Sequence, residues 1–424
     1  MIVAHLGPAS AQQGGPAGYL AQLSRAVSEY GAGGHTVLFP SAPPGDAPAA
    51  PAPARSWRTP LRRMRLTWLG PPVYGRPKAV DLVRLGGPMN DLIAASGAGV
   101  RAQAAPSLDQ ALQARADVLF AHEAPAAEAA LERRARGQQV WLLMHSPMPM
   151  ALYLAWCWGV PERSWDEVRA FPDVQAWMAR ELAVVSAVDR VLIPCPEAVS
   201  ELVRVHSRFD APLARAWFLA TGAAAPPRRA PAPDRHRLRA RWGLPAAAPV
   251  GLFLGNAQPY RGLDILQDAL RLLPGRRRLP GAVAVAGSLP DLLAFHPRLR
   301  ALGPVREVGD LLAAVDFVIN VNRFSLFDLS TIESLEAGRP LLLSPVGGNL
   351  AFRDLGAGAE MLDDVSPAAV ARGLTTMFQM APETRDALAR QSRQCYEAHL
   401  TPRHLRDRHV AVYDHVASAR SAGA

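Results

Sequence analysis

Short apolar runs alternate with stretches of helical spacing through most of the chain. Residues 1–6 form an apolar run of strand length. Beyond the turn Gln13-Gly14-Gly15-Pro16, the residues Tyr19, Leu20, Leu23, Ala26, Val27 and Tyr30 recur at the spacing of one helix face. Gly33-Gly34 ends that helix, and residues 36–39 begin a second strand. Further strands are predicted at 117–120, 140–144 and 190–193, each followed by a helical stretch. The pattern restarts with strands at 250–254, 282–286, 317–321 and 340–343. Leu263, Leu266, Ala269, Leu270 and Leu273 mark the helix after the first of these. Residues 403–416 read as a final helix. Such alternation predicts α/β architecture with parallel sheets, in which ligands sit at the carboxyl ends of strands.

Two interruptions divide the chain. Residues 41–54 are mostly Ala and Pro without a period and read as a surface loop. Residues 223–234 are Pro-rich and basic, as suits a linker. The predicted organisation is a Rossmann-like domain at 1–222, a linker at 223–235, a second Rossmann-like domain at 236–400, and a C-terminal helix and tail at 401–424. A length of 424 residues fits two such doubly wound domains.

Composition narrows the chemistry. Lys78 is the sole lysine among 46 basic residues, so no Walker-type phosphate loop can be built. A pyridoxal Schiff base would have to use Lys78, outside the second domain. Cys157, Cys195 and Cys395 are too scattered for a disulfide framework or a four-cysteine zinc site, and suit a reducing compartment. Met1 opens on Ile2-Val3-Ala4 with no basic leader, and no apolar run reaches the length of a membrane span. These features predict a cytoplasmic protein. The net charge of +9 suits anionic partners, but no interleaved aromatic pattern points to nucleic acid. In 55–68, Trp57, Leu61, Met64 and Trp68 share a helical stripe among Arg58, Arg62, Arg63 and Arg65. That stripe suits peripheral contact with the inner face of a membrane, or an ordinary helix with a solvated basic face.

Four groups of residues carry candidate chemistry. Gly14 and Gly15 precede a helix, where backbone N–H groups and the helix dipole can meet an anion or simply make a tight turn. Gly255-Asn256 ends a buried strand, and Arg261 follows within reach of phosphate oxygens. In 324–348, Glu333 is predicted to begin a helix, with Ser330 and Thr331 as its caps. A carboxylate there can take two hydrogen bonds from a ribose diol, or serve as a favourable charge at a helix N-terminus. His122 with Glu123, and His145 with Ser146, lie at strand ends where a histidine can orient a hydroxyl or fill a structural role. No helix-spaced histidine pair suggests a metal. Asp363-Asp364 resembles a metal pair but falls apart from the other motifs.

In order and spacing these pieces resemble the retaining GT-B glycosyltransferases, the family that includes sucrose synthase and the bacterial phosphatidylinositol mannosyltransferases. The resemblance runs from Gly14-Gly15 and Gly34-His35-Thr36-Val37, through Asp117-Val118-Leu119 with His122, then His145, residues 187–193 and Thr221-Gly222. It continues through residues 239–245 to Glu333, Gly338, Pro340 and Gly347-Gly348. It implies two Rossmann-like domains facing across a cleft, acceptor on the first and nucleotide-sugar on the second. It places Gly15 and Arg261 at the donor diphosphate, His145 at the transferred sugar, Glu333 at the ribose and Gly303 near the base. Gly14, Gly255, Asn256, Ser325, Leu329 and Ser330 complete the implied donor site; His122, Glu123 and Ser146 form the acceptor side. Three positions depart from the family pattern. Asn256 replaces an arginine, Arg261 a lysine, and Ser325 the glutamate that meets the donor sugar, with Arg323 and Asp328 near enough to compensate.

The resemblance implies a UDP- or GDP-linked donor, no cofactor and no metal, and a sugar, lipid-linked or small-molecule acceptor. It implies front-face transfer with retention, which needs phosphate stabilisers more than a nucleophilic carboxylate. The alternative is a GT-B protein that has lost turnover and serves as a partner or activator of another enzyme.

Overall fold

The computed structural model describes residues 1–7, 15–40, 86–161, 163–223, 234–256, 258–287 and 296–422. Gly14, the 55–68 stripe, the 41–54 segment, Lys78 and most of the 223–235 linker lie outside the described residues.

Twelve strands form two six-stranded parallel sheets. The first holds β1 (Ile2–Leu6), β2 (Thr36–Leu38), β3 (Val118–Ala121), β4 (Gln139–Leu143), β5 (Arg190–Ile193) and β6 (Trp217–Phe218) in the order β2-β1-β3-β4-β5-β6. The second holds β7 (Val250–Leu254), β8 (Ala282–Ala286), β9 (Leu299–Gly303), β10 (Phe317–Asn320), β11 (Leu341–Leu343) and β12 (Ala359–Met361) in the order β12-β11-β10-β7-β8-β9. Central strands such as β3 and β8 are buried along their whole length, because helices cover both faces of a parallel sheet. The fold is α/β and of the GT-B type.

One device recurs at the amino ends of the strands. Asp117, Asp189 and Asp316 each precede a strand and accept the backbone N–H of a neighbouring one: Ile2 at 2.7 Å, Val140 at 2.7 Å and Val250 at 2.7 Å. The carboxylate takes up a donor that the ladder leaves unpaired. At Asp316 the charge is also met by Arg239, buried at 2.6 Å, and by Arg235 and Arg385. This work at the strand starts leaves the carboxyl ends free for a site.

The strand order reverses between β1 and β3 in one sheet and between β7 and β10 in the other. The loops at these two switch points are where crevices open in doubly wound sheets. The C-terminal helix Pro402–Ala422 packs on the Gly15–Tyr30 helix of the first domain. Among the described residues no helix is long and apolar enough to cross a membrane.

Candidate functional site

The first-domain wall is a chain of hydrogen-bonded rings. His145, two residues past β4, places Nε2 2.8 Å from Nδ1 of His122 at the end of β3. Nε2 of His122 lies 2.9 Å from Nδ1 of His5 in β1, and Nε2 of His5 lies 3.0 Å from the Tyr413 hydroxyl. That hydroxyl is 2.9 Å from Nδ1 of His409, whose Nε2 is 2.7 Å from the hydroxyl of Tyr19. The rings of His122 and His145 stack at 5.1 Å. Burial disfavours the imidazolium throughout: His5 and His145 are lowered to about 3, and His122 and His409 well below their ordinary value. All four are therefore neutral near pH 7. His145 alone is partly exposed.

Beside it, Glu123 precedes the Ala124–Arg133 helix without capping it, and burial pushes its carboxyl to about 7. The hydroxyl of Ser146 is buried without a partner among the described residues. Gly15 opens its helix at φ +58°, and a Cβ there would meet nothing within 4 Å among the described residues.

The second-domain wall centres on Asp328. Its Oδ2 is 3.0 Å from Nη1 of Arg261, 2.6 Å from Nδ2 of Asn322, 3.1 Å from Nδ2 of Asn320 and 3.4 Å from the hydroxyl of Ser325. The Arg261 guanidinium lies over Gly255, where a Cβ would come within 3.5 Å of it, and over the Tyr260 ring. Its Nε and the Oδ1 of Asn256 are buried without partners among the described residues. Arg323 turns away, donating to both carboxylate oxygens of Asp264 at 2.8 and 2.6 Å. Ser325 is only 1% exposed and faces Asp328. Of Arg323 and Asp328, Asp328 lies against Ser325 and Arg323 does not.

The helix Leu329–Glu336 starts earlier than the sequence suggests. Asp328 takes the N-cap position, so Ser330 and Thr331 lie inside the first turn rather than capping it, and Glu333 sits in the second turn. The sequence misleads because Asp328 makes no cap hydrogen bond; its carboxylate is taken by Asn320, Asn322 and Arg261. Leu329 and Ser330 thus open the helix, where N–H groups lack intrahelical partners. The Glu333 carboxyl has no hydrogen-bond partner among the described residues, and burial, reinforced by Glu336, raises it to about 7. Gly303 ends the edge strand β9 at φ +68°, and a Cβ there would meet nothing within 4 Å among the described residues.

The two walls are clasped together. Phe324, fully buried, enters the first domain with its ring edge-on to Trp165 at 5.3 Å and Trp156 at 6.0 Å, under the guanidinium of Arg204. Arg204 also donates to the carbonyl of Arg323 at 2.9 Å. Glu201 accepts the backbone N–H of Gly347, and the Cys195 thiol reaches the carbonyl of Leu326 at 3.5 Å. A π-turn at Ala155–Gly159 helps shape this face, and Tyr153 meets Tyr260 at 5.9 Å.

Residues 248–380 match the family described as glycosyl transferases group 1. The matched segment spans all six strands of the second sheet. A D-inositol 3-phosphate glycosyltransferase of Xylanimonas cellulosilytica is 31% identical over 192 residues, 42% of this chain and 45% of that protein. The chain spans about half the length of the curated relatives it matches. The fold match is far longer. Sucrose-phosphate synthase from Thermosynechococcus elongatus aligns with 98% of this chain and 96% of its own, at 14% identity and a TM-score of 0.59. Anabaena HepE, in complex with UDP-glucose, aligns over 98% and 99% at 13% identity and a TM-score of 0.61.

Within the matched segment, Arg261 and Ser325 meet Asp328, Gly255 lies against the Arg261 guanidinium with Asn256 next in the chain, and Leu329 and Ser330 follow Asp328 as the first residues of its helix. In the first domain His122 and His145 are hydrogen-bonded to each other. Asp363 pairs with Arg372, and Asp364 accepts the Ser366 N–H at 2.7 Å, so both are committed elsewhere. Sequence reasoning missed His5, Tyr19, His409 and Tyr413 as parts of the site. It also missed Phe324 with Trp156 and Trp165. No spacing signal could join these, since the fold brings them together from distant segments.

Proposed function

We propose that the chain is a retaining glycosyltransferase that binds a UDP- or GDP-linked sugar between its two domains and transfers the sugar to an acceptor hydroxyl. The observation that carries this reading is the clasp that seats the loop before Leu329 in the first domain, with Phe324 between Trp156 and Trp165 and the Leu326 carbonyl against Cys195. The group 1 segment offers a Glu333 carboxyl with no hydrogen-bond partner among the described residues, Arg261 in the turn after β7 and a helix start at Leu329, and the first domain offers the partly exposed ring of His145. Glu333 takes the ribose hydroxyls, Arg261 and the helix N–H groups take the diphosphate, and His145 contacts the transferred sugar. The acceptor oxygen bonds to the anomeric carbon on the face from which the diphosphate departs. The anomeric C–O bond breaks to the β-phosphate, and the acceptor proton passes to that phosphate oxygen. Fixed donors that stabilise the departing charge supply the catalysis, so no metal is required. We place the protein in the cytoplasm, which suits three unpaired, buried cysteines.

A second reading has a specific observation behind it. Arg261 is already paired with Asp328, and Ser325 has no exposed carboxylate to offer a sugar, as in a GT-B protein that binds a partner enzyme without turnover. Thermal unfolding of the purified chain with UDP, GDP, ADP, dTDP and their common sugars tests both. A ligand at a hundred times its Kd adds about 2.7 kcal/mol, enough for a plain rise in Tm. We expect stabilisation by one nucleotide family and more by its sugar. Stabilisation by none would favour the partner reading.

A further inference from the structure

The ring chain that ends at His145 has a direction. It contains six side chains joined by five hydrogen bonds: His145, His122, His5, Tyr413, His409 and Tyr19. A neutral imidazole has one N–H and one bare nitrogen, and a tyrosine hydroxyl has one proton. Every internal ring here uses both of its nitrogens, so fixing one proton fixes every other up to the Tyr413 hydroxyl. Two neutral arrangements run in a single direction, one donating from His145 inward and one from Tyr19 outward; a third, in which Tyr413 accepts from both His5 and His409, leaves the buried Tyr413 proton without an acceptor.

The Tyr19 end decides between them. Its hydroxyl is buried, and among the described residues its hydrogen-bond partner is His409. The charge of Arg408 also acts on it, but a guanidinium carries donors and no acceptor. Inward donation would therefore strand the Tyr19 proton in a buried site, which native structures avoid. Outward donation satisfies every buried donor. Tyr19 donates to Nε2 of His409, Nδ1 of His409 to Tyr413, and Tyr413 to Nε2 of His5. Nδ1 of His5 donates to Nε2 of His122, and Nδ1 of His122 to Nε2 of His145. His145 is left with its proton on Nδ1, the nitrogen that has no partner among the described residues, on the one ring that is partly exposed.

We propose that Tyr19, His409 and Tyr413 are positioning residues that hold His145 as its Nδ1–H tautomer, so that it meets a ligand oxygen as a hydrogen-bond donor and not as a base. Two of the three come from the C-terminal helix, so the last segment of the chain sets the chemistry of a residue in the first-domain wall. The direction follows from the hydrogen-bond geometry, the burial of Tyr19 and the neutrality of the four rings, whichever nucleotide or acceptor is bound.

Long-range proton–nitrogen correlation spectra of the full chain, labelled with 15N-histidine, test it without any ligand. The His145 signals are assigned by their loss in His145→Gln. In the parent, Nδ1 of His145 should give the proton-bearing resonance and Nε2 the lone-pair one. Tyr19→Phe removes the proton that sets the direction, and Tyr413→Phe cuts the chain in its middle. In each folded variant the His145 pattern should move toward a mixture of tautomers or to Nε2–H. A proton on Nε2 of His145 in the parent would overturn the proposal. So would an unchanged Nδ1–H pattern in folded Tyr19→Phe. Should Tyr413→Phe not fold, the parent and Tyr19→Phe spectra still decide.

Discussion

A carboxylate held without a partner in a nearly closed site destabilises the fold, and Glu333 is such a group. Burial, with Glu336 adding to it, raises its pKa from 4.5 to about 7. A group whose folded value lies above its unfolded value contributes stability that is fully present below the unfolded value and lost as pH rises through the folded one. Between pH 4.5 and 7 the parent should therefore lose about 1–3 kcal/mol through this residue. Glu333→Gln removes that loss. Its Tm should exceed the parent's at pH 8 and match it near pH 4.5. The same substitution should weaken nucleotide binding roughly tenfold, since a charge-assisted acceptor for the ribose is gone. A gain in stability joined to a loss of binding marks a residue kept for its ligand. Equal Tm values at pH 8 would remove Glu333 from that class. At this scale the sequence was legible where a residue's role is local. Gly255, Arg261 and His145 stand at strand ends or just before a helix, where periodicity points, whereas Glu333 lies a turn deeper in its helix than the pattern suggests. Asp328 was harder to weigh, because its importance lies in four donors drawn from three separate stretches, around 261, 320–322 and 325.

Elements were readable in proportion to how much apolar surface they bury. β7 and β8, with neighbours on both sides, show as unbroken apolar runs and begin and end where the pattern places them. β6, β9 and β12 escaped notice. Each is an edge strand, and they hold two residues, an Arg300 and a Glu360 respectively, as edges that face solvent commonly do. The loop after β10 was legible as a motif but not as a clasp, because what Phe324 touches comes from 156 and 165. That contact carries an element-scale prediction. Deleting a fully buried phenylalanine costs about 3–5 kcal/mol, and this one lies in the interface between the domains. Phe324→Ala should therefore loosen the domains before it unfolds either one. The expected signs are a larger radius of gyration in X-ray scattering and a calorimetric transition that splits in two. A single transition with unchanged dimensions would show that the clasp rests on Glu201, Arg204 and Cys195 instead.

Across the whole molecule, the chain crosses between domains twice, and the two crossings lie side by side. Ala223 donates to the carbonyl of Leu400 at 3.0 Å. Gly222 runs so close to the backbone of Thr401 that a Cβ would come within 2.6 Å of its carbonyl oxygen. The second crossing returns the C-terminal helix to the first domain, where Leu405, Val410, Tyr413 and Val416 are buried. Gly33 lies against Val410, and the hydroxyl of Tyr413 joins His5 to His409. At about 1.5–3 kcal/mol for each large apolar side chain, those four contribute on the order of 6–12 kcal/mol. The net stability of a domain is only about 5–15 kcal/mol. The first domain is thus completed by the last segment of the chain, and a protein ending at Leu400 should not hold it. Such a truncation should lose the near-ultraviolet dichroism of Trp141, which packs at 6.4 Å from Tyr413, and should lose the cooperative transition of the first domain. The second domain should keep its own transition, because its two core faces are closed by helices that end at His399. A peptide of residues 402–422 added in trans should restore part of the lost signal. If the truncated chain unfolds with the parent's Tm and dichroism, the helix is an accessory to a domain that already stands without it.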